Sequence, residues 1–275
     1  MSPAVPAAPE SPWSAHRRRA EALRGRHGFA AEVLTLYGAL LGVWEQAWTE
    51  ARERPPEPER LAGWAARHVL PRVLDATAAA GPKALAASLD GLREAGEDIL
   101  AAWLDGADDL APAERYLAQA SLRAPLAALR TRVAGADERH CPACGGPPQL
   151  SFRTDGGEAL VSGRRRLLCA RCGGDWGCTA NICAGCGETS GERRTVYAEQ
   201  VPGPRVGRGA RDTDGALFPH LSAHACASCS GFLIDVDLGR DPRAVPEVDE
   251  LAALPLGLYA VEQGYTKIAP NLMGL

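Results

Sequence analysis

The sequence predicts an α+β protein, with an N-terminal all-α helical domain followed by two tandem zinc-ribbon/rubredoxin-like metal-binding modules and a C-terminal helix. Three observations carry this. Residues 14–134 place apolar side chains at helical spacing and show almost no β signal. All nine cysteines lie between 141 and 229, and eight of them form four Cys-x-x-Cys pairs, or knuckles. Beyond Asp235 the helical texture returns. The implied divisions are a disordered tail over 1–13, a helical domain over 14–135, a first module with the third knuckle over 136–188, a second module over 189–240, and a C-terminal helical tail over 241–275.

In the helical domain, Phe29, Val33, Leu34, Leu36, Leu40, Leu41, Val43, Trp44, Ala47 and Trp48 form one apolar stripe. Arg54-Pro55-Pro56-Glu57-Pro58 ends that helix, because consecutive prolines cannot continue it. A further helix runs from Glu59 past Pro71, which kinks or restarts it, to Ala80. Gly81-Pro82 is a stop and restart, Pro82 suiting a first turn. Shorter helices are expected over Lys83–Glu94 and Glu97–Asp105. The last runs from Pro112 to Val133 with Tyr116, Leu117, Leu122, Leu126 and Leu129 buried and a kink at Pro125. Trp44, Trp48, Trp64 and Trp103 read as packing residues. His16, His27 and His68 are isolated and read as surface or packing histidines. Arg17-Arg18-Arg19 reads as a solvated helix face.

From Cys141 the composition turns to Cys, Gly, Pro and short β-prone runs. Leu150-Ser151-Phe152 and Ala159-Leu160-Val161 flank a turn at Asp155-Gly156-Gly157, and Arg166-Leu167-Leu168 leads into Cys169. That is a zinc-ribbon pattern. Thr195-Val196-Tyr197-Ala198 and Gly231-Phe232-Leu233-Ile234-Asp235 are the strands expected in the second module. Pro202 to Asp214 reads as an exposed loop. A tail helix over Val248–Gln263 is amphipathic, with Leu251, Leu254, Leu258, Tyr259 and Val261 as its apolar positions and Pro255 and Gly257 weakening its middle.

Composition excludes some functions. The net charge is −4, and residues 140–235 carry 10 Lys+Arg against 9 Asp+Glu. A phosphate-binding surface needs net positive charge, so nucleic acid is not an expected partner. No apolar run reaches the length of a membrane span. No apolar segment follows Arg17–Arg19, which sets aside an export signal and predicts the cytoplasm. In a reducing compartment, paired cysteines are metal ligands before they are disulfides.

The knuckles are Cys141/Cys144, Cys169/Cys172, Cys183/Cys186 and Cys226/Cys229. Two knuckles supply four thiolates, a complete tetrahedral shell for zinc or iron. Sequential pairing gives one site from Cys141, Cys144, Cys169 and Cys172 and another from Cys183, Cys186, Cys226 and Cys229. The strands group that way; an inner pair nested within an outer pair is the alternative. Gly145, Gly173 and Gly187, with Ser230-Gly231 in the fourth knuckle, allow a positive φ that turns backbone N–H groups toward sulfur. A shell of four cysteines leaves no open position, which favours a structural or one-electron role over metal-assisted hydrolysis. Of these two, a structural staple is preferred. Cys178 is left over and reads as a small buried residue.

These residues resemble the FdhE family of formate dehydrogenase accessory proteins. The matching stretches are Cys141-Pro-Ala-Cys144-Gly145, Arg166-Leu167-Leu168-Cys169 with Trp176 beyond it, Asn181-Ile182-Cys183-Ala184-Gly185-Cys186-Gly187-Glu188, and Cys226 to Asp235. In the tail they are Asp241-Pro242-Arg243, Asp249-Glu250-Leu251-Ala252-Ala253-Leu254 and Glu262-Gln263-Gly264-Tyr265. The resemblance covers roughly residues 135–270. It implies a cytoplasmic assembly factor that is not itself an enzyme and contacts the catalytic subunit of formate dehydrogenase. It also implies two rubredoxin-like iron ions, with zinc as the alternative, on the eight knuckle cysteines. A rubredoxin-like electron carrier is the competing function, and self-association is left open. The Pro202–Asp214 loop departs from the family pattern in being longer and more basic.

Overall fold

The computed structural model describes residues 12–107, 109–129, 137–154, 164–200 and 216–274. The expected turn at 155–157, the strand at 159–161, the loop at 202–214 and the helix end near Val133 lie outside these.

The N-terminal helices are α1 (Ser14–Arg26), α2 (Ala31–Glu53), α3 (Leu61–His68), α4 (Leu70–Ala80), α5 (Lys83–Ser88), α6 (Gly96–Asp105) and α7 (Pro112–Leu129). The apolar stripe of α2 is the centre of their core: Leu36, Leu40, Leu41 and Ala47 are fully buried, and Trp44 donates its indole N–H to the Ala120 carbonyl at 2.7 Å. A buried indole keeps its polar tip satisfied in this way. Trp13, just ahead of α1, packs on Trp44 and Trp48. The helix expected over Lys83–Glu94 stops at Ser88, and Gly91 in the following turns has a left-handed φ of 84°. Pro125 lies inside α7.

The strands are β1 (Pro148–Arg153), β2 (Arg165–Cys169), β3 (Asp175–Gly177), β4 (Arg194–Tyr197), β5 (Leu221–Cys226), β6 (Gly231–Asp237) and β7 (Thr266–Lys267). Among the described residues they form one sheet in the order β3-β2-β1-β6-β5-β4, with β7 beside β6. Each knuckle-bearing stretch contributes an antiparallel set, and the two sets meet where β1 runs parallel to β6, Ser151 opposite Asp235. That seam is polar and paired. Ser151 donates its hydroxyl to the buried Asp235 carboxylate at 2.5 Å and Arg153 its Nε–H at 2.8 Å. The sheet's other face presents Leu150, Phe152, Leu221, Ala223, Ile234 and Val236 to the helical core. The strands β3, β5 and β7 were not foreseen. β5 reads Leu-Ser-Ala-His-Ala-Cys, short of the β-branched residues that announce a strand.

The tail forms two helices rather than one, α8 (Pro246–Ala252) and α9 (Leu254–Glu262), broken at Ala253 just ahead of Pro255. A proline is tolerated in a helix's first turn but not in its middle.

Helix α8 is buried, carboxylates included. Arg123 donates to Glu247 at 2.5 Å, and Lys267 Nζ donates to Glu250 at 2.5 Å. Arg19 makes a bidentate contact with Asp249, His220 Nε2 lies 2.8 Å from the same carboxylate, and Arg19 also reaches Asp241 at 2.8 Å. Arg19 is therefore not on a solvated face as the sequence suggested; it is 6% exposed and ties α1 to the tail. Three ion pairs from three different elements fix α8 between the helices and the sheet. Each is strongly directional, because burial penalises any unpaired charge.

Candidate metal centres

The four knuckles fold into two groups of four sulfurs, Cys141/Cys144/Cys169/Cys172 and Cys183/Cys186/Cys226/Cys229, each with all sulfurs within 4.8 Å of one another. The structure thus adopts sequential pairing. Cys141 and Cys172 sulfurs are 3.6 Å apart and Cys144 and Cys169 3.4 Å; in the second group Cys183 and Cys229, and Cys186 and Cys226, are each 3.8 Å apart. Four sulfurs about 2.3 Å from one ion make a tetrahedron with edges of about 3.8 Å. The separations of 3.4–3.8 Å are near that size, and both donor sets suit zinc or iron.

Local backbone brings the sulfurs together. In three knuckles the glycine after the second cysteine has positive φ (Gly145 69°, Gly173 62°, Gly187 81°) and donates its N–H to the carbonyl of the first cysteine at 2.8, 3.1 and 2.9 Å. In the fourth, Ser230 itself takes φ 52°, not Gly231. Backbone N–H groups also point at sulfur: Arg171 to Cys169 and Gly174 to Cys172, both at 3.3 Å. Such donors stabilise thiolate charge. A side chain on Gly146 would meet the Cys169 sulfur at 2.8 Å, so this position admits only hydrogen.

The first group's thiols hold each other in opposed states. Hydrogen bonds from Cys144, Cys169 and Cys172 lower the Cys141 thiol; Cys141 and Cys172 raise Cys144 against a lowering contact from Cys169, and Cys169 is raised by all three neighbours. Four thiolates this close need a cation between them.

The two centres differ in surroundings. In the first group Cys141, Cys169 and Cys172 are buried, in a small core with Leu167, Trp176 and Leu233 against Leu126 of α7. Its second knuckle is held to the helical domain twice. Arg171 lies over the Trp103 ring, 5.1 Å from its centroid, and the Arg123 guanidinium lies against Gly173. Burial works against the Arg123 charge, but Glu247 outweighs it and raises the guanidinium further; the same pair holds Glu247 below the usual carboxylate range against its burial. A cavity of about 440 Å³ lined by Trp13, His16, Trp48, Glu247 and Cys172 opens beside this centre. In the second group Cys186 and Cys229 are exposed. There Glu188 accepts from the Ser228 hydroxyl at 2.6 Å, joining the third knuckle to the fourth.

Cys178 belongs to neither group. It is half-buried against the first centre's core, and burial raises its thiol above the ordinary value, which opposes reactivity. Arg123, Glu247 and Arg171 escaped the sequence reading. Their only signal was the acidic run Glu247, Asp249, Glu250 at a helix start, whose partners lie far away in sequence.

No family model matches the chain. It is 27% identical over 137 residues to an FdhE homolog of Aquifex aeolicus, covering 50% of this chain and 42% of that protein. It is 32% identical over 133 residues to one of Pseudomonas aeruginosa, covering 48% and 38%. The chain thus matches less than half of each relative's length. The crystal structure of the FdhE protein from Pseudomonas aeruginosa has the same fold, with a TM-score of 0.65 and 24% identity over 97% of this chain and 96% of that one. With its four paired knuckles, the chain is similar to FdhE homologs over about half of its length and shares the fold of the Pseudomonas aeruginosa FdhE protein.

Proposed function

We propose that this protein is a cytoplasmic accessory factor for formate dehydrogenase, acting in assembly or activation by binding the immature catalytic subunit. It carries two metal ions, iron in preference to zinc, on the eight knuckle cysteines. The observation behind the reading is the pair of four-sulfur clusters on a fold of the FdhE kind. Neither cluster offers an open coordination position, so the protein does not act as a hydrolase in its own right. When bound, iron in such a shell supplies a one-electron couple, and zinc supplies folding energy only. The chain's own residues do the rest: Gly174 and Arg171 N–H groups offset thiolate charge, and Arg123 and Arg171 couple the first centre to the helices.

A rubredoxin-like electron carrier is the second reading, favoured by the exposed Cys186 and Cys229, since electron exchange needs a metal near the surface. The test is affinity purification of the tagged, anaerobically prepared chain from cells expressing formate dehydrogenase, with assay of that enzyme in a deletion strain. Co-purification of the catalytic subunit and loss of dehydrogenase activity are expected. Full activity in the deletion strain with no association contradicts the accessory role. A red protein with reversible bleaching on reduction that leaves dehydrogenase maturation untouched favours the carrier.

A further inference from the structure

Strand β4 ends the sheet, paired only with β5 among the described residues. Its hydrogen-bond phase follows from one contact. Ala227 donates to the Arg193 carbonyl at 2.8 Å, and residues 193 and 227 are in register with the β4–β5 ladder. Hydrogen-bonded pairs alternate along an antiparallel ladder, so Thr195 and Tyr197 turn their backbone groups toward β5. The N–H and C=O groups of Arg194 and Val196 therefore point outward. Val196 is 58% exposed, and among the described residues no other strand pairs with this edge. An unprotected edge is a template for another strand, and β4 has neither a proline nor a lysine to block one.

The surroundings specify what fits. Between β4 and α9 lies a groove of about 530 Å³ lined by Tyr197, Leu217, Leu221, Leu256 and Tyr259. Leu217 and Tyr259 are 61% and 46% exposed. Tyr197 packs on Tyr259 across this groove, so it is on the helix side of the sheet. Arg194 and Val196 project to the opposite side, where Val196 is opposite His224. There the Nε–H of Arg194 is buried and has no acceptor. A strand added to β4 would alternate its side chains between the apolar groove and this cationic side.

We propose that β4 docks an extended peptide segment of a partner protein, which adds as a further antiparallel strand. Its apolar side chains enter the groove against Tyr197, Leu256 and Tyr259, and a carboxylate sits opposite Arg194. Backbone pairing supplies the affinity and the two faces the selectivity. This holds whichever metal the knuckles carry and does not depend on the formate dehydrogenase reading.

The test uses the full metal-loaded chain and a fluorescein-labelled peptide, Leu-Glu-Leu-Thr-Val-Glu-Leu, followed by anisotropy. Saturable binding is expected. Backbone N-methylation of alternate residues, or replacement of both glutamates by lysine, weakens it about tenfold or more. Val196→Pro removes an outward donor without touching the β5 ladder, so it weakens binding about tenfold while the melting temperature stays within a few degrees. Tyr259→Ala weakens binding through the groove alone and covers the case where Val196→Pro does not fold. Absence of saturable binding, or equal affinity for the N-methylated peptide, overturns the proposal. So does a wild-type dimer that Val196→Pro converts to monomer, because a second copy would then occupy the edge.

Discussion

The guanidinium of Arg123 occupies the space a β-carbon on Gly173 would need: such a carbon would lie 1.4 Å from Nη1. One residue is in helix α7, the other in the second knuckle, and Glu247 of α8 holds the guanidinium in place. Through this one side chain the first cysteine cluster touches both the helical domain and the tail, beside the second tie of Arg171 on Trp103.

Gly173→Ala should therefore cost more than the same change at Gly145. Both glycines have positive φ, a strain of about 1–2 kcal/mol for alanine. Nothing lies within 4 Å of a β-carbon at Gly145, whereas at Gly173 Arg123 must leave Glu247. Breaking a buried pair adds about 3 kcal/mol or more. Denaturant unfolding of the two variants reads the difference; equal losses would show that Arg123 relocates freely.

Asp249 accepts from Arg19, His220 and the Val245 N–H. Asp249→Ala leaves a buried guanidinium without its main partner and should destabilise by about 3–5 kcal/mol. Asp241→Ala removes only the lesser contact and should cost about 1–2 kcal/mol. The order of these two losses, read by thermal unfolding, checks which carboxylate anchors Arg19.

Acid should weaken the fold in a predictable order. Burial lowers the His16 pKa from its ordinary value near 6.5, so the unfolded chain takes up this proton first. Its contribution is full above about pH 6.5 and declines as pH falls toward the folded value. Glu247 is depressed below 4.5, chiefly because Arg123 outweighs its burial, so its contribution is full above that value and is lost at lower pH still. Glu250, pushed up by burial, works in the opposite direction, relieving its penalty as it protonates. Comparison of wild type with His16→Phe isolates the first effect: the variant should have a flatter melting temperature between pH 6.5 and 5. Parallel curves would show that His16 does not titrate differently on folding.

The two centres should release metal at different rates. Cys186 and Cys229 of the second group are exposed, while three cysteines of the first are buried. A chelator should extract one ion quickly with the helical domain intact, and the second only slowly. Single-phase release of both ions would mean that burial does not protect the first centre.

The knuckles were legible because Cys-x-x-Cys spacing is local and its chemistry specific. The pairing followed from the strand order, and the long stripe of α2 from its period. The ion pairs of α8 were not legible, since Arg19 and Asp249 are 230 residues apart and each looks solvated in its own segment. β5 was missed because its alanines, serine and histidine owe their strand to neighbours on both sides, not to propensity. The single tail helix became two because Pro255, expected only to weaken its middle, sits in the first turn of a new helix.

The central claim is that Cys141, Cys144, Cys169 and Cys172 hold one ion and Cys183, Cys186, Cys226 and Cys229 another. Metal content of a Cys172→Ala/Cys183→Ala double variant, measured by mass spectrometry against protein concentration, tests it most directly. One cysteine is removed from each group, so the account predicts loss of both ions. Retention of one full ion per chain would mean that these two cysteines share a single site, and would contradict it.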